Sequence, residues 1–168
     1  MIRVLPWVVL VLISSGCVSS PKAPHRRANS VQKSSSVIEE INVLAVPVAL
    51  NFDNIPGPDG FVITIYGGNH TLPKAVPLEI GTLEILMFDG LLPGNAIKSP
   101  TPLKTWDFTA SDLKRYAGTT SIGTGYQIPN LWGDAAPRAG KITVIVRYTS
   151  PSGAILYSAP GIIAVPAN

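Results

Sequence analysis

Cysteine, histidine and charge are all scarce in this sequence, and each scarcity removes a class of chemistry. One cysteine, Cys17, stands in 168 residues, so no internal disulfide can form. Two histidines and that one thiol leave too few ligands for zinc, which takes three or four of Cys, His or carboxylate type. His25 falls in a polar stretch that cannot hold catalytic geometry. His70 falls in the loop Gly67-Gly68-Asn69-His70-Thr71, and no Gly-x-Ser-x-Gly elbow offers it a nucleophile. Only 14% of residues are charged. The carboxylates Glu79, Glu84, Asp89, Asp107, Asp112 and Asp134 are scattered, with no register to set two of them face to face for paired-acid hydrolysis. Gly123-Thr124-Gly125 lacks a third glycine and the strand-to-helix setting of a dinucleotide site, and reads as the flexible start of a strand. No catalytic residue is assigned and no cofactor is expected, so the chain reads as non-enzymatic.

What the chain does have is an address at its start. Met1-Ile2-Arg3 is a minimal basic segment and Val4 to Ile13 an apolar run. The run is too short for a bilayer, which needs about 20 apolar residues, but has the length of a secretory signal. Ser14-Ser15-Gly16-Cys17 follows and resembles the lipobox of bacterial lipoproteins, with Ser14 where leucine is usual. The resemblance implies cleavage before Cys17, a diacylglyceryl group on its sulfur, and acylation of the freed amine. A lone thiol is a liability in an oxidising compartment, and acylation removes it. Each buried methylene adds about 0.8 kcal/mol, and one chain alone anchors only marginally; two or three chains on one residue hold firmly. The alternative is an ordinary signal peptide cut nearby, leaving the thiol free. Val18 rather than Asp follows the cysteine, which by the bacterial sorting pattern points to the outer membrane, facing the periplasm or the cell surface. The membrane, through this anchor, is thus the first expected partner.

Residues 17–40 are expected to be the lipidated cysteine and a disordered basic tether. There is almost no apolar bulk up to Ser36, so ordering the stretch would cost more than it returns. Lys22, Arg26, Arg27 and Lys33 stand there without an acid. They can lie on anionic headgroups beside the anchor, or simply keep a solvated linker extended. The basic balance of the chain belongs to this segment and the leader; the remainder is slightly acidic. Nucleic acid is therefore not an expected partner.

Residues 41–168 make one domain of ordinary size. Short β-branched runs are spaced by Pro and Gly, the pattern of an all-β sandwich. Leu44, Val46, Val48, Leu50 and Phe52 share one parity against the smaller Val43, Ala45 and Ala49, with Pro47 marking an edge or bulge. Phe61, Ile63 and Ile65 alternate with Val62, Thr64 and Tyr66. Leu83, Ile85 and Met87 form a third set, and Trp106 with Phe108 a fourth. Lys141 to Thr149 is the clearest strand. Ser150-Pro151-Ser152-Gly153 turns it into Ala154 to Ser158, and Pro160-Gly161 interrupts the last strand before Ile162 to Val165. Thr109-Ala110-Ser111-Asp112 starts one short helix in capping-box form, with Leu113 and Tyr116 inward and Gly118 as its stop. Such a turn of helix often bridges two sheets. The sum is an immunoglobulin-like antiparallel β-sandwich with one short helix, preceded by a signal peptide and tether.

The segments Asp59-Gly60-Phe61-Val62, Gly81-Thr82-Leu83-Glu84-Ile85, Trp106-Asp107-Phe108, Gly125-Tyr126 with Trp132, and Lys141 to Thr149 resemble a family of uncharacterised lipoproteins of planctomycete-type bacteria, over residues 43–165. These are strand and turn signatures, so the resemblance implies a fold and no reaction. Two candidate binding sites stand in the domain. Asp53 and Asp59, with Asn54, set oxygens at loop spacing for calcium. Calcium wants six to eight oxygens, and Pro58-Asp59-Gly60 is accounted for as a turn, so the turn reading is preferred and no metal is assigned. Trp132 and Tyr126 could stack on a sugar if exposed, or fill the core. The expected function is a non-catalytic lipid-anchored envelope protein presenting its sandwich to a protein partner; the alternative is a glycan or small-ligand module.

Overall fold

The structure, a computed structural model, describes residues 37–93 and 101–167. The expected signal peptide, Cys17 and the expected tether up to Ser36 lie outside the described residues. Strands β1 (Glu40–Ala45), β2 (Gly60–Gly68), β3 (Thr82–Asp89) and β4 (Lys104–Thr109) are followed by the helix α1 (Ala110–Leu113) and a 3-10 turn. Then come β5 (Ala117–Thr120), β6 (Gly123–Leu131), β7 (Lys141–Thr149), β8 (Ile155–Tyr157) and β9 (Gly161–Ala164).

One sheet has the order β1-β2-β6-β5, the other β4-β3-β7-β8, with β9 also on β7. Every strand pair is antiparallel. Taking β8 and β9 as two halves of one edge, this is the ABED sheet of immunoglobulin domains packed on a CFG sheet with one added strand. The chain is an all-β, immunoglobulin-like sandwich.

Period-two alternation builds the core. Phe61, Ile63 and Ile65 of β2 stand opposite Asn130, Ile128 and Tyr126 of β6. Leu83, Ile85 and Met87 of β3 stand opposite Tyr148, Val146 and Val144 of β7. All twelve are buried. In antibody domains the second and sixth of seven strands carry a disulfide; here β2 and β7 carry Ile63, Ile65, Val144 and Val146 instead. Close-packed branched aliphatics do the work of the crosslink.

The first strand faces the other way from the expected one. Ile41 is buried, Val43 and Ala45 pack on the core, and Leu44, Val48 and Phe52 are exposed. The approach is closest at Ala45, where a Cβ on Gly161 of β9 would sit 3.3 Å from the side chain. Pro47 then ends the pairing with β2, and the chain crosses to the other sheet. Ala49 N–H donates to Ala164 (2.8 Å) and Ala164 N–H to Pro47 (2.8 Å), which stitches the two sheets along one side.

The helix bridges the sheets as expected, running from β4 of one to β5 of the other. Thr109 and Asp112 form its capping box, and hydrogen bonds from Thr109 hold the Asp112 carboxyl below its usual range. Gly118 does not stop the helix. It sits within β5 opposite Gly125, because the chain must already be extended at Ala117 to pair with Tyr126. Tyr116 closes the bend edge-on against Phe108, 5.9 Å between ring centres. Gly123 does start β6, with φ of 118° and no room for a Cβ, which would lie 2.4 Å from the Ala75 carbonyl.

At the last edge, Pro160-Gly161 separates β8 from β9. Ser158 fills the break: its N–H donates to Val146 O (2.9 Å) and its hydroxyl accepts from Val146 N–H (3.0 Å). A smaller cluster of Leu86, Phe88 and Ile145 lies on the outer face of the β3–β7 pair beneath Leu92 and Tyr157.

Candidate functional site

Tyr126 and Trp132, the two rings that could stack on a sugar if exposed or else fill the core, are 4% and 3% exposed. Neither offers a face to a sugar, and the binding platform they would have formed is corrected to core. Their places follow from the parity of β6, inward at Tyr126, Ile128 and Asn130 and continued by Trp132 just past its end. The Tyr126 hydroxyl accepts from Leu78 N–H at 2.8 Å. From the facing sheet, the Tyr148 hydroxyl donates to Ile80 O at 3.0 Å. Two rings thus stand in the core with their oxygens at its edge, holding the loop between β2 and β3. Burial raises both hydroxyls' pKa above the usual tyrosine value. Trp132 is fixed by its backbone, its N–H on Asp59 O (3.0 Å) and its carbonyl on the Lys104 ammonium (2.9 Å). That ammonium lies 5.1 Å from the Trp106 ring centre.

Asp53 and Asp59, the weak calcium candidates, sit in a loop fastened by its own side chains. Asn51 Oδ1 accepts from Asp53 N–H (3.0 Å) and Asn51 Nδ2 donates to Ile55 O (2.6 Å). Asp53 Oδ1 accepts from Ile55 N–H (2.7 Å), and Asp59 Oδ1 from Phe52 N–H (2.9 Å). Asn51 and Asp53 each bond the backbone N–H two residues on, as Asx turns do, and Asp59 closes the base by reaching back to Phe52. One oxygen of each aspartate, Oδ1, is thus committed to a separate backbone donor. Among the described residues no group of three or more His, Cys, Asp or Glu could hold a metal. Asp59 Oδ2 and Asn130 Oδ1 are buried without a hydrogen-bond partner.

The product of these bonds is a preorganised loop with an apolar tip. Ile55 is 70% exposed and Phe52 is exposed beside it. Asn51, Asp53 and Asp59 were legible as turn formers; that they fix aliphatic and aromatic side chains outward was not, although apolar residues between Asx residues were the signal. The loop lies at the end of the sandwich remote from Val37, where the described chain begins, because β1 and β2 run the full height between them.

His70 is exposed near Val37, its backbone N–H held by Glu39 Oε2 at 2.7 Å. The register sets Glu84 opposite Asp107, but both Glu84 oxygens are taken by the Arg147 guanidinium. That fork, with Tyr157 adding to it, raises the Arg147 pKa further. No helix among the described residues is long and apolar enough to cross a membrane.

No protein-family model matches this chain, and no curated protein or solved structure matches it either. The fold and the loop are what functional reasoning has to stand on.

Proposed function

We propose that this chain is a non-catalytic, lipid-anchored protein of the bacterial cell envelope, acylated on Cys17, whose sandwich presents the 51–59 loop to a protein partner. The reading includes membership of the lipoprotein family described above. The observation that carries it is the loop: four side-chain hydrogen bonds hold Phe52 and Ile55 out in water. A rigid apolar tip loses little conformational entropy on docking, which is what makes such a feature an economical anchor. Its position at the end of the sandwich remote from Val37 lets it face away from the membrane. Tyr126 and Trp132, being buried, give the glycan-binding alternative no support.

Crosslinking in intact membranes tests this with the full chain and an Ile55→Asp variant. A specific crosslinked species is expected with the natural chain, reduced at least about tenfold by Ile55→Asp, as for loss of a buried aliphatic anchor. An equal yield from both chains rejects the loop as the docking element. Detergent partitioning of Cys17→Ala tests the anchor: the variant is expected in the aqueous phase and the natural chain in the detergent phase.

A further inference from the structure

The opposite end of the sandwich carries a second apolar feature that folding does not require. A groove of about 300 Å³ is lined there by Val37, Ile38, Ile80, Tyr148, Pro151 and Leu156. Val37 is 68% and Ile80 46% exposed, and Ile155 is exposed at the start of β8. These aliphatics are not a frayed end. Glu39 N–H donates to Gly68 O (2.9 Å) and Asn69 Nδ2 to Val37 O (2.9 Å), which lays the incoming chain against β2. Tyr148 holds Ile80 through its carbonyl while its ring forms part of the groove. Hydrogen bonds from both sheets therefore keep apolar side chains turned outward around an open groove. Ser150 and Ser152, joined at 2.8 Å, add hydroxyls to its edge.

We propose that this end is a lipid-contact face, which settles its aliphatic rim into the surface of the bilayer that holds the anchor. The proposal rests on the reading that Cys17 is acylated. Where the chain joins the groove identifies the occupant. Residues 18–36 separate Cys17 from Val37, a contour of at most about 70 Å, so this end meets the anchoring bilayer at high effective concentration. Lys22, Arg26, Arg27 and Lys33 in that stretch, with no acid, favour anionic headgroups and shorten the distance. Aliphatic side chains set among hydroxyls suit the boundary of headgroup and acyl chain, a layer about 5–10 Å deep. A weak contact of this kind suffices, because the anchor already supplies the proximity. The result is a defined orientation, groove to the membrane and 51–59 loop away from it.

Full-length acylated protein in vesicles of phosphatidylcholine and phosphatidylglycerol containing nitroxide-labelled lipid tests the face. An environment-sensitive dye is placed at Ile80→Cys in one preparation and at Leu131→Cys, at the other end, in a second; the acylated Cys17 does not take the label. Quenching by lipid nitroxide is expected to be at least threefold stronger at position 80. Adding Ile155→Asp is expected to bring the two positions towards equality while the protein stays on the vesicles. Equal quenching in a chain that is bound and acylated overturns the face and leaves the anchor standing. A dye at position 80 that is shielded from aqueous iodide but untouched by lipid nitroxide means a protein covers the groove, which also overturns it. Intact mass reads the anchor separately: a bare Cys17 thiol sinks both proposals.

Discussion

Tyr126 and Tyr148 each put a ring in the core and a hydroxyl on the loop between β2 and β3, and the two hydroxyls play unequal parts. Tyr126 accepts from the N–H of Leu78, a residue itself buried, so Tyr126→Phe leaves a donor with no partner and no water. The cost is expected to be about 1–3 kcal/mol. Tyr148→Phe leaves a carbonyl in a partly exposed place, and is expected to cost less, about 0.5–1.5 kcal/mol. Urea unfolding checks both: the midpoints should fall in that order with the slope unchanged. Reversal of the order would show that the loop is not held as described. The same residues set an alkaline limit. A phenol whose folded pKa is raised favours the protonated form in the native state, so its contribution is complete below the ordinary tyrosine value of 10.0. It is lost as pH rises through the higher folded values. The thermal midpoint is expected to decline above about pH 10, less steeply in the double Phe variant. Alternation along residues 141–149 sets the Tyr148 ring inward with Val144 and Val146, and leaves Tyr126 open. The hydroxyls' partners were beyond it, since Leu78 is 48 and Ile80 is 68 residues away along the chain.

Elements were readable wherever one face is wet and the other dry. β2, β3 and β7 follow their alternation, and the capping box of α1 was plain in Thr109 and Asp112. Alternation fails where the environment is not two-sided. β1 turns Leu44 outward while Ile41, Val43 and Ala45 face the core, and Ile145 is buried on the outer face beneath Leu92 and Tyr157. The last edge strand shows the same division. Pro160-Gly161 announced the break between β8 and β9, but nothing announced that Ser158 would supply the missing ladder bonds with its own hydroxyl. Ser158→Ala is expected to leave Val146 N–H unpaired in the core, at about 1–3 kcal/mol. Native-state hydrogen exchange is the measure: the Val146 amide should lose protection beyond the global change, while Ile63 on the other sheet tracks the global change alone. Uniform loss across both sheets would mean that Ser158 contributes only bulk. The 51–59 loop gives a complementary expectation. Its carboxylates serve backbone donors, so millimolar calcium or a chelator should move the thermal midpoint by less than about 1 °C, where binding at a hundredfold excess over Kd would add about 2.7 kcal/mol. A rise of several degrees would revive Asp59 as a ligand.

On the scale of the whole molecule, the strand order sorts the loops into two ends that no local pattern distinguishes. Gly60 pairs with Leu131 and Gly68 lies beside Glu40, so the 51–59 loop falls at one end and Val37 with Ile80 at the other. Charge divides along the chain as well, with the basic excess concentrated before residue 37. An arginine-specific protease can test whether the chain is mechanically divided at the same place. Arg26 and Arg27 stand in the polar stretch before the domain. Arg115 lies in the 3-10 turn after α1, Arg138 has its N–H on the Asp89 carboxylate (3.1 Å), and Arg147 is in β7 with its guanidinium on Glu84. Cleavage requires local unfolding of the bonds around the site, so backbone held in the sandwich is slow to cut. Cutting after Arg26 or Arg27 is expected at least about tenfold faster than after Arg115, Arg138 or Arg147. The fragment from Ala28 onward is expected to keep the far-UV spectrum and thermal midpoint of the uncut chain, since it retains the whole cluster of Phe61, Ile85, Ile128 and Val146. Comparable rates at all five arginines would mean that the sandwich opens as readily as its leader, and a lowered midpoint in the fragment would mean that residues before Ala28 pack on it.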